Sequence, residues 1–442
     1  MSQEDLLGAD AMKRAEATKS ASVQTSHTSP DVNQPVRPLS RRLLLSGAAA
    51  LGGLAAFGRD AALADPGRKR GPGVARSEPT LPPALQSRRD LQVRAGAKVA
   101  TLPVEDNGAT YAMAQDIAWL DQNHFAVGRW DGTMSIFNFN SAPFGGPIIN
   151  EVVNTPALRG VQMVARLPGG ALASSNDDSS LSVWPKPLQP HGTPRARTWS
   201  YENSLGVATS GVWLSAGEPS TLVVGHDSGF LSLWSYHPDT SRLKFLRTVD
   251  LRNPNPVNPW GLHTMYGLAT LTSRGSAAAI VAGSDDGFIS VVQIPSGRIL
   301  IQRVYNLAAQ RGINSVAVLR DKLLVANCSV GTEDYNLWYF DVNKSSGELT
   351  LVDRVNLIVN PQEIQVFNFD VVWGRYAGGT CWFASTEEGV LWMGTAESSL
   401  NVIGQQSLGG ATLGSALAYR SNPGRLVAVS YDLHEFVTEP AS

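Results

Sequence analysis

Apolar residues in this chain come in short alternating runs broken by Asp, Gly or Ser. Four such runs superimpose without a gap: residues 125–137 (FAVGRWDGTMSIF), 172–184 (LASSNDDSSLSVW), 222–234 (LVVGHDSGFLSLW) and 280–292 (IVAGSDDGFISVV). Each reads as an apolar strand, a tight polar turn and a second strand that alternates apolar and small residues. That is a β-hairpin pattern, because Asp-Gly and similar pairs tolerate the positive φ angles that a two-residue turn demands. Looser copies start at Leu324, Trp382 and Leu426, so the unit recurs about seven times at intervals of roughly 50 residues.

A third strand is predicted before each hairpin, at residues 116–120, 161–167, 211–215, 267–271, 314–319 and 371–375. A fourth follows most of them, at 148–153, 243–249, 299–304, 349–355 and 401–406. Four antiparallel strands repeated seven times predict an all-β chain folded as a seven-bladed β-propeller, with six and eight blades also compatible with the spacing. The last repeat offers three strands (416–419, 426–430 and 433–438) before the sequence ends. The strand-like segment 97–104 (AKVATLPV) is therefore expected to close the last blade and cover its edge. Ser135, Ser182, Ser232 and Ser290 share one hairpin position, and Phe137, Trp184, Trp234 and Val292 share another two residues on, on the same strand face. Small beside large suits a tapering blade, so most of the 11 tryptophans are expected between blades.

Cores such as DSGFLSLW and DDGFISVV make the region from about residue 97 to 437 resemble WD40-type propellers. The copies depart from that family: Gly225-His226 and Trp130-Asp131 sit beside hairpin turns, away from the family's places for its Gly-His and Trp-Asp pairs. Residues 235–249 and 341–355 resemble the Asp-x-x-x-Gly-x-Leu hairpins of YVTN lactonase-type propellers, the first without the Gly. The first resemblance implies a binding fold, and the second implies a hydrolase working on a small molecule.

Four segments are expected: a polar disordered stretch at 1–39, a signal at 40–64, a Pro/Gly/Arg-rich linker at 65–96 and the propeller at 97–442. The signal resembles a twin-arginine (Tat) export peptide, with paired Arg41-Arg42, an uncharged Ala/Gly-rich run at 43–57, and the A-x-A cleavage pattern Ala62-Leu63-Ala64. That run of about 15 residues is short of the roughly 20 that span a bilayer. The resemblance implies export of the already folded protein to the periplasm or beyond, and no cysteine stands at the cleavage site for a lipid anchor. With 36 basic and 38 acidic residues the net charge is -2, so no global field draws nucleic acid or an anionic membrane.

Propeller ligands bind where loops converge on the central channel. Residues just before the innermost strands are thus the candidates: Gln115, Gln162, Asn314, Asn368, Asp370 and Ser415 for binding, and Arg159, His263 and Arg311 for chemistry. In a lactonase-like enzyme His263 would be the general base and an arginine would steady the oxyanion. Two guanidiniums and an imidazole would suit a carboxylate or phosphate. The acidic pairs Asp177-Asp178, Asp285-Asp286 and Glu387-Glu388 are expected as solvated turns. The seven histidines show no HxH or HxxxH spacing and there is no CxxCH, so no metal and no cofactor is predicted. Cys328 and Cys381 are expected as buried, unpaired thiols. The leading reading is a monomeric, non-enzymatic module that presents a rigid face to a protein or small polymer of the cell envelope, with a lactonase-like hydrolase as the alternative.

Overall fold

The computed structural model of the chain describes residues 114–439, apart from 130–131, 140–148, 153–159, 177, 189–196, 216–219, 254–262, 273–277, 305–311, 331–334, 360–364, 409–415 and 430–432. The expected signal and linker, and the closing strand at 97–104, lie outside the described residues.

Seven antiparallel blades follow one another along the chain. Blade 1 is β1 (Ala114–Trp119), β2 (His124–Arg129), β3 (Thr133–Asn138) and β4 (Ile149–Val152). Blade 2 is β5 (Val164–Arg166), β6 (Leu172–Ser175), β7 (Ser180–Trp184) and β8 (Arg197–Ser200). Blade 3 is β9 (Ala208–Leu214), β10 (Thr221–His226), β11 (Phe230–His237) and β12 (Arg242–Asp250). Blade 4 is β13 (Met265–Leu271), β14 (Ala279–Ser284), β15 (Phe288–Gln293) and β16 (Arg298–Val304). Blade 5 is β17 (Ile313–Leu319), β18 (Lys322–Val330), β19 (Leu337–Val342) and β20 (Leu349–Val355). Blade 6 is β21 (Gln365–Tyr376), β22 (Gly379–Thr386), β23 (Val390–Ala396) and β24 (Leu400–Ser407). Blade 7 has three strands among the described residues: β25 (Ala416–Arg420), β26 (Arg425–Val429) and β27 (Leu433–Val437).

The innermost strands β1, β5, β9, β13, β17, β21 and β25 each touch both neighbours, and β25 returns to β1, so the blades form a closed ring. The four hairpins read from the sequence are the two central strands of blades 1 to 4. The outermost strand of blade 2 escaped the hydrophobic pattern because its segment, RTWS, carries a single apolar residue.

Apolar packing lies between blades rather than within them. The last seam sets Ile117, Trp119 and Phe125 of blade 1 against Ala418, Val427 and Leu433 of blade 7. Trp184 packs among Leu120, Ile136 and Val161 at the first seam, and Trp234 beside Met163 and Ala165 at the second. The serine column (Ser135, Ser182, Ser232, Ser290) is buried with the large residues beside it. Between blades 5 and 6 the joint is also a sheet, because β18 runs past its hairpin and pairs Cys328–Val330 with residues 365–367. Gly267 permits close approach: a Cβ there would lie 2.8 Å from the backbone nitrogen of Val316 in the next blade.

His226 shows how polar groups enter a seam. Its ring is fully buried, with Nε2 2.7 Å from the Ser232 hydroxyl, which accepts the indole N–H of Trp234 at 2.8 Å. Burial pushes its pKa down to about 4, and burial pushes that of His434 down to about 4 as well. Both imidazoles are therefore neutral in the folded protein. Protonation favours the unfolded chain, so stability is full above pH 6.5 and falls as pH drops through the unfolded value toward 4. Each ring contributes up to about 3 kcal/mol to that loss. Urea unfolding between pH 7 and 4 is expected to show the decline, and His226→Gln is expected to flatten it by about half; an unchanged slope in that variant contradicts the assignment.

Candidate functional site

The central channel is lined by the first residues of the innermost strands. Their sequence explains why they face it. In β1, β9, β13, β17 and β21 the pairing with the next strand slips by one residue near the start, at Gln115, Thr209, Tyr266, Asn314 and Phe369. Such bulges re-aim side chains that a regular ladder would send into a seam. The resulting cavity of about 540 Å³ is lined by Gln115, Asp116, Gln162, Thr209, Ser210, Tyr266, Asn314, Ser315 and Asp370, with apolar residues deeper along the strands.

Most of this polar wall joins one blade to the next. Asp116 accepts the N–H of Ile117 at 2.8 Å and that of Val164 in blade 2 at 2.9 Å. Asp370 repeats the arrangement, accepting the N–H of Val371 at 2.8 Å and that of Leu417 in blade 7 at 2.7 Å. Its Oδ1 also accepts the Ser315 hydroxyl of blade 5 at 2.6 Å. Thr209 and Ser210 donate to the Met265 carbonyl of blade 4 at 2.6 and 2.8 Å. A buried amide relay links blades 5 and 6: Asn314 donates to the Asn368 carbonyl at 2.8 Å, and Asn368 donates to the Asn336 carbonyl at 3.0 Å.

The residues singled out from the sequence therefore separate. Gln115, Gln162, Asn314 and Asp370 share the channel wall, and Asn368 is buried behind it. Arg159, Arg311 and Ser415 lie outside the described residues. His263 is not part of the channel lining; its Nδ1 lies 2.9 Å from both oxygens of Asp286, in the β14–β15 turn of its own blade. Burial raises the pKa of Asp286, against the Asn253 N–H and His263, which favour the charged form. Asp116 was missed, although it stands where Asp370 stands in blade 6; only the hairpin register shows that equivalence.

The acidic turns need correction. Asp285 and Asp286 are buried, not solvated, and the Asp286 carboxylate accepts the Asn253 N–H at 3.0 Å. Glu387 accepts the Phe367 N–H at 2.9 Å and Glu388 the Val359 N–H at 3.1 Å. Asp227 does the same for Val207 at 2.9 Å. The incoming segment of each of these blades crosses the central turn, and its backbone needs an acceptor there. Asp178 is exposed, and Asp177 lies outside the described residues. Cys381 is a buried free thiol, pushed up to about 12 chiefly by burial, and the Cys328 side chain is not among those described. Among the described residues no group of three His, Cys, Asp or Glu is placed to hold a metal, and no helix is long and apolar enough to cross a membrane.

No family model and no curated protein matches this sequence. Solved structures do match its fold. The WD40 β-propeller domain of Doa1 is similar with a TM-score of 0.53 and 13% identity, over 77% of this chain and 97% of that one. The β-propeller domain of Cps50 (Swd1) from Myceliophteria thermophila is similar with a TM-score of 0.50 and 13% identity, over 73% and 96%. At this identity the likeness establishes a WD40-type β-propeller fold.

If the channel carboxylates act as clasps, removing one loosens the ring. Asp370→Ala is expected to lower unfolding free energy by roughly 2–3 kcal/mol, since three bonds to a charged group are lost and two backbone-anchored strands are left unfastened. Denaturant titration checks this, and a change below about 0.5 kcal/mol contradicts it.

Proposed function

We propose that the chain is an exported WD40-like propeller that serves as a rigid binding scaffold for a protein of the cell envelope. The observation that carries this reading is on the outer rim. Among the described residues four large apolar side chains are exposed: Phe245, Ile299, Leu351 and Ile403, at 38–46%. They stand on β12, β16, β20 and β24, the outermost strands of four consecutive blades, each at or next to a bulge in its strand.

Register explains their exposure. Each of these strands carries a bulge against its neighbour, at Leu246, Leu300, Val352 and Ile403. The bulge places two apolar residues in succession, one directed to a seam and one to solvent. In blades 3 to 5 the bulged residue packs inward and its predecessor is exposed, whereas in blade 6 Val402 packs inward and Ile403 is exposed. Lys244, Arg247, Arg298 and Arg303 flank the first two as exposed cations. An exposed apolar residue repeated on consecutive outermost strands suits contact with a partner that spans several blades, and the cations favour an acidic partner.

The export half of the reading rests on Arg41-Arg42, the apolar run after them and Ala62-Leu63-Ala64. The hydrolase alternative draws no support from His263, which faces a turn carboxylate of its own blade.

Expression with the native N-terminus, followed by cross-linking and purification from the envelope fraction, tests both halves. The expected product begins at Asp65 and brings down a discrete protein. Replacing Phe245, Ile299, Leu351 and Ile403 together by Ser is expected to weaken that capture by about tenfold or more, whereas Gln115→Ala leaves it intact. Capture lost with Gln115→Ala and kept in the rim variant relocates the site to the channel, and an uncleaved cytoplasmic product removes the export reading.

A further inference from the structure

Opposite the bulged ends, the innermost strands finish at a second cavity of about 580 Å³. Hairpin register puts one residue of every blade at the same height there: Trp119, Arg166, Trp213, Thr270, Ala317, Trp373 and Tyr419, each paired with the first core residue of its hairpin. Four of them on consecutive blades (Tyr419 of blade 7, Trp119 of blade 1, Arg166 of blade 2 and Trp213 of blade 3) line this cavity.

Charge at this mouth is unbalanced. The Arg166 side chain is exposed and makes no ion pair or hydrogen bond among the described residues. Arg420, the residue after Tyr419, has a buried Nε without an acceptor among the described residues. Burial first, and then repulsion from Arg166, hold its pKa below the usual arginine value, while Asp121 favours its charge. Asp121 is itself engaged, by the His124 ring at 2.8 Å and by the Asn123 N–H at 2.7 Å. Asp116, deeper in the lining, holds the backbone of blades 1 and 2. Trp119 is nine-tenths buried, and its indole N–H has no acceptor among the described residues.

We propose that this mouth is a binding site for a small anion, a carboxylate or phosphate attached to a flat ring. Arg166, which lines the cavity, receives the anionic group, and the Arg420 charge adds to the field that favours it. Trp213 and Tyr419, half-buried in the lining, offer aromatic walls against which a planar body stacks. A guanidinium binds carboxylate and phosphate oxygens through paired N–H donors. The site is separate from the rim surface and does not depend on the scaffold reading.

Isothermal titration of the full chain with two probes, adenosine 5′-monophosphate and indole-3-acetate, tests it, with adenosine as the uncharged control. Saturable binding of at least one anionic probe is expected, together with tryptophan fluorescence quenching and a marked loss of affinity at raised salt. Binding of only the first identifies a phosphate ligand, and of only the second a carboxylate. Arg166→Gln is expected to weaken binding by about ten- to hundredfold; because that side chain is exposed and unpaired, the variant keeps its fold, which circular dichroism checks. Arg420→Gln is expected to act in the same direction. No saturation by either anionic probe up to about 10 mM, equal binding of adenosine, or affinity unchanged in Arg166→Gln overturns the proposal.

Discussion

Packing at the seams is the constraint on which the rest depends. A blade is a twisted four-stranded sheet with two faces to cover, and in a ring each face is covered by the next blade. The innermost strands converge on one axis, so the residues between them must be small or fitted. Gly267 lets blades 4 and 5 approach to backbone contact, and the buried serines leave room for Trp184 and Trp234 beside them. Because every seam needs both neighbours, the last seam, where Phe125 and Trp119 meet Val427 and Leu433, completes the burial of blades 1 and 7 together. The ring thereby gains cooperativity that no single blade possesses.

Convergence also decides the fate of polar groups at the axis. Strand starts bring backbone N–H groups to the channel edge, where the next blade's ladder does not reach. Asp116 and Asp370 supply acceptors to Val164 and Leu417, and Thr209, Ser210 and Asn314 supply donors to carbonyls one blade on. A channel lined in this way looks chemically rich in the sequence yet is largely occupied with holding itself together. The two proposed recognition surfaces, the apolar rim of blades 3 to 6 and the arginine-bearing mouth under blades 7, 1, 2 and 3, lie away from these bonds.

Much of the fold was legible because the hairpin repeat is local. An apolar strand, an Asp or Gly turn and a Ser-x-Trp strand specify each other within 13 residues, as in 222–234. The outermost strands were legible where they alternate, as in Arg242–Asp250, and failed at Arg197–Ser200, which has little apolar surface to bury. The site was legible only in part. Gln115, Gln162, Asn314 and Asp370 reach the channel because position relative to the innermost strand is a sequence property. His263 sits at a comparable place along the chain yet meets Asp286 across a turn, a contact between residues 23 apart that spacing alone does not reveal. The buried acids of the turns were misjudged for the same reason. Their partners come from segments that spacing does not point to: Asn253 from the connection before blade 4, and Phe367 from the start of the innermost strand of blade 6.

The central claim is that two carboxylates on the channel wall act as clasps, Asp116 fastening blade 1 to blade 2 and Asp370 fastening blade 6 to blades 5 and 7. Amide hydrogen exchange of the native protein tests it most directly, read at the N–H groups of Val164 and Leu417, whose acceptors are Asp116 and Asp370. The account predicts that both exchange only through global unfolding, as slowly as ladder amides such as those of Val223 and Phe383. Exchange at the rate of exposed loops, while those ladders stay protected, would show that the carboxylates are not clasps and would return the channel to the list of sites built for ligands.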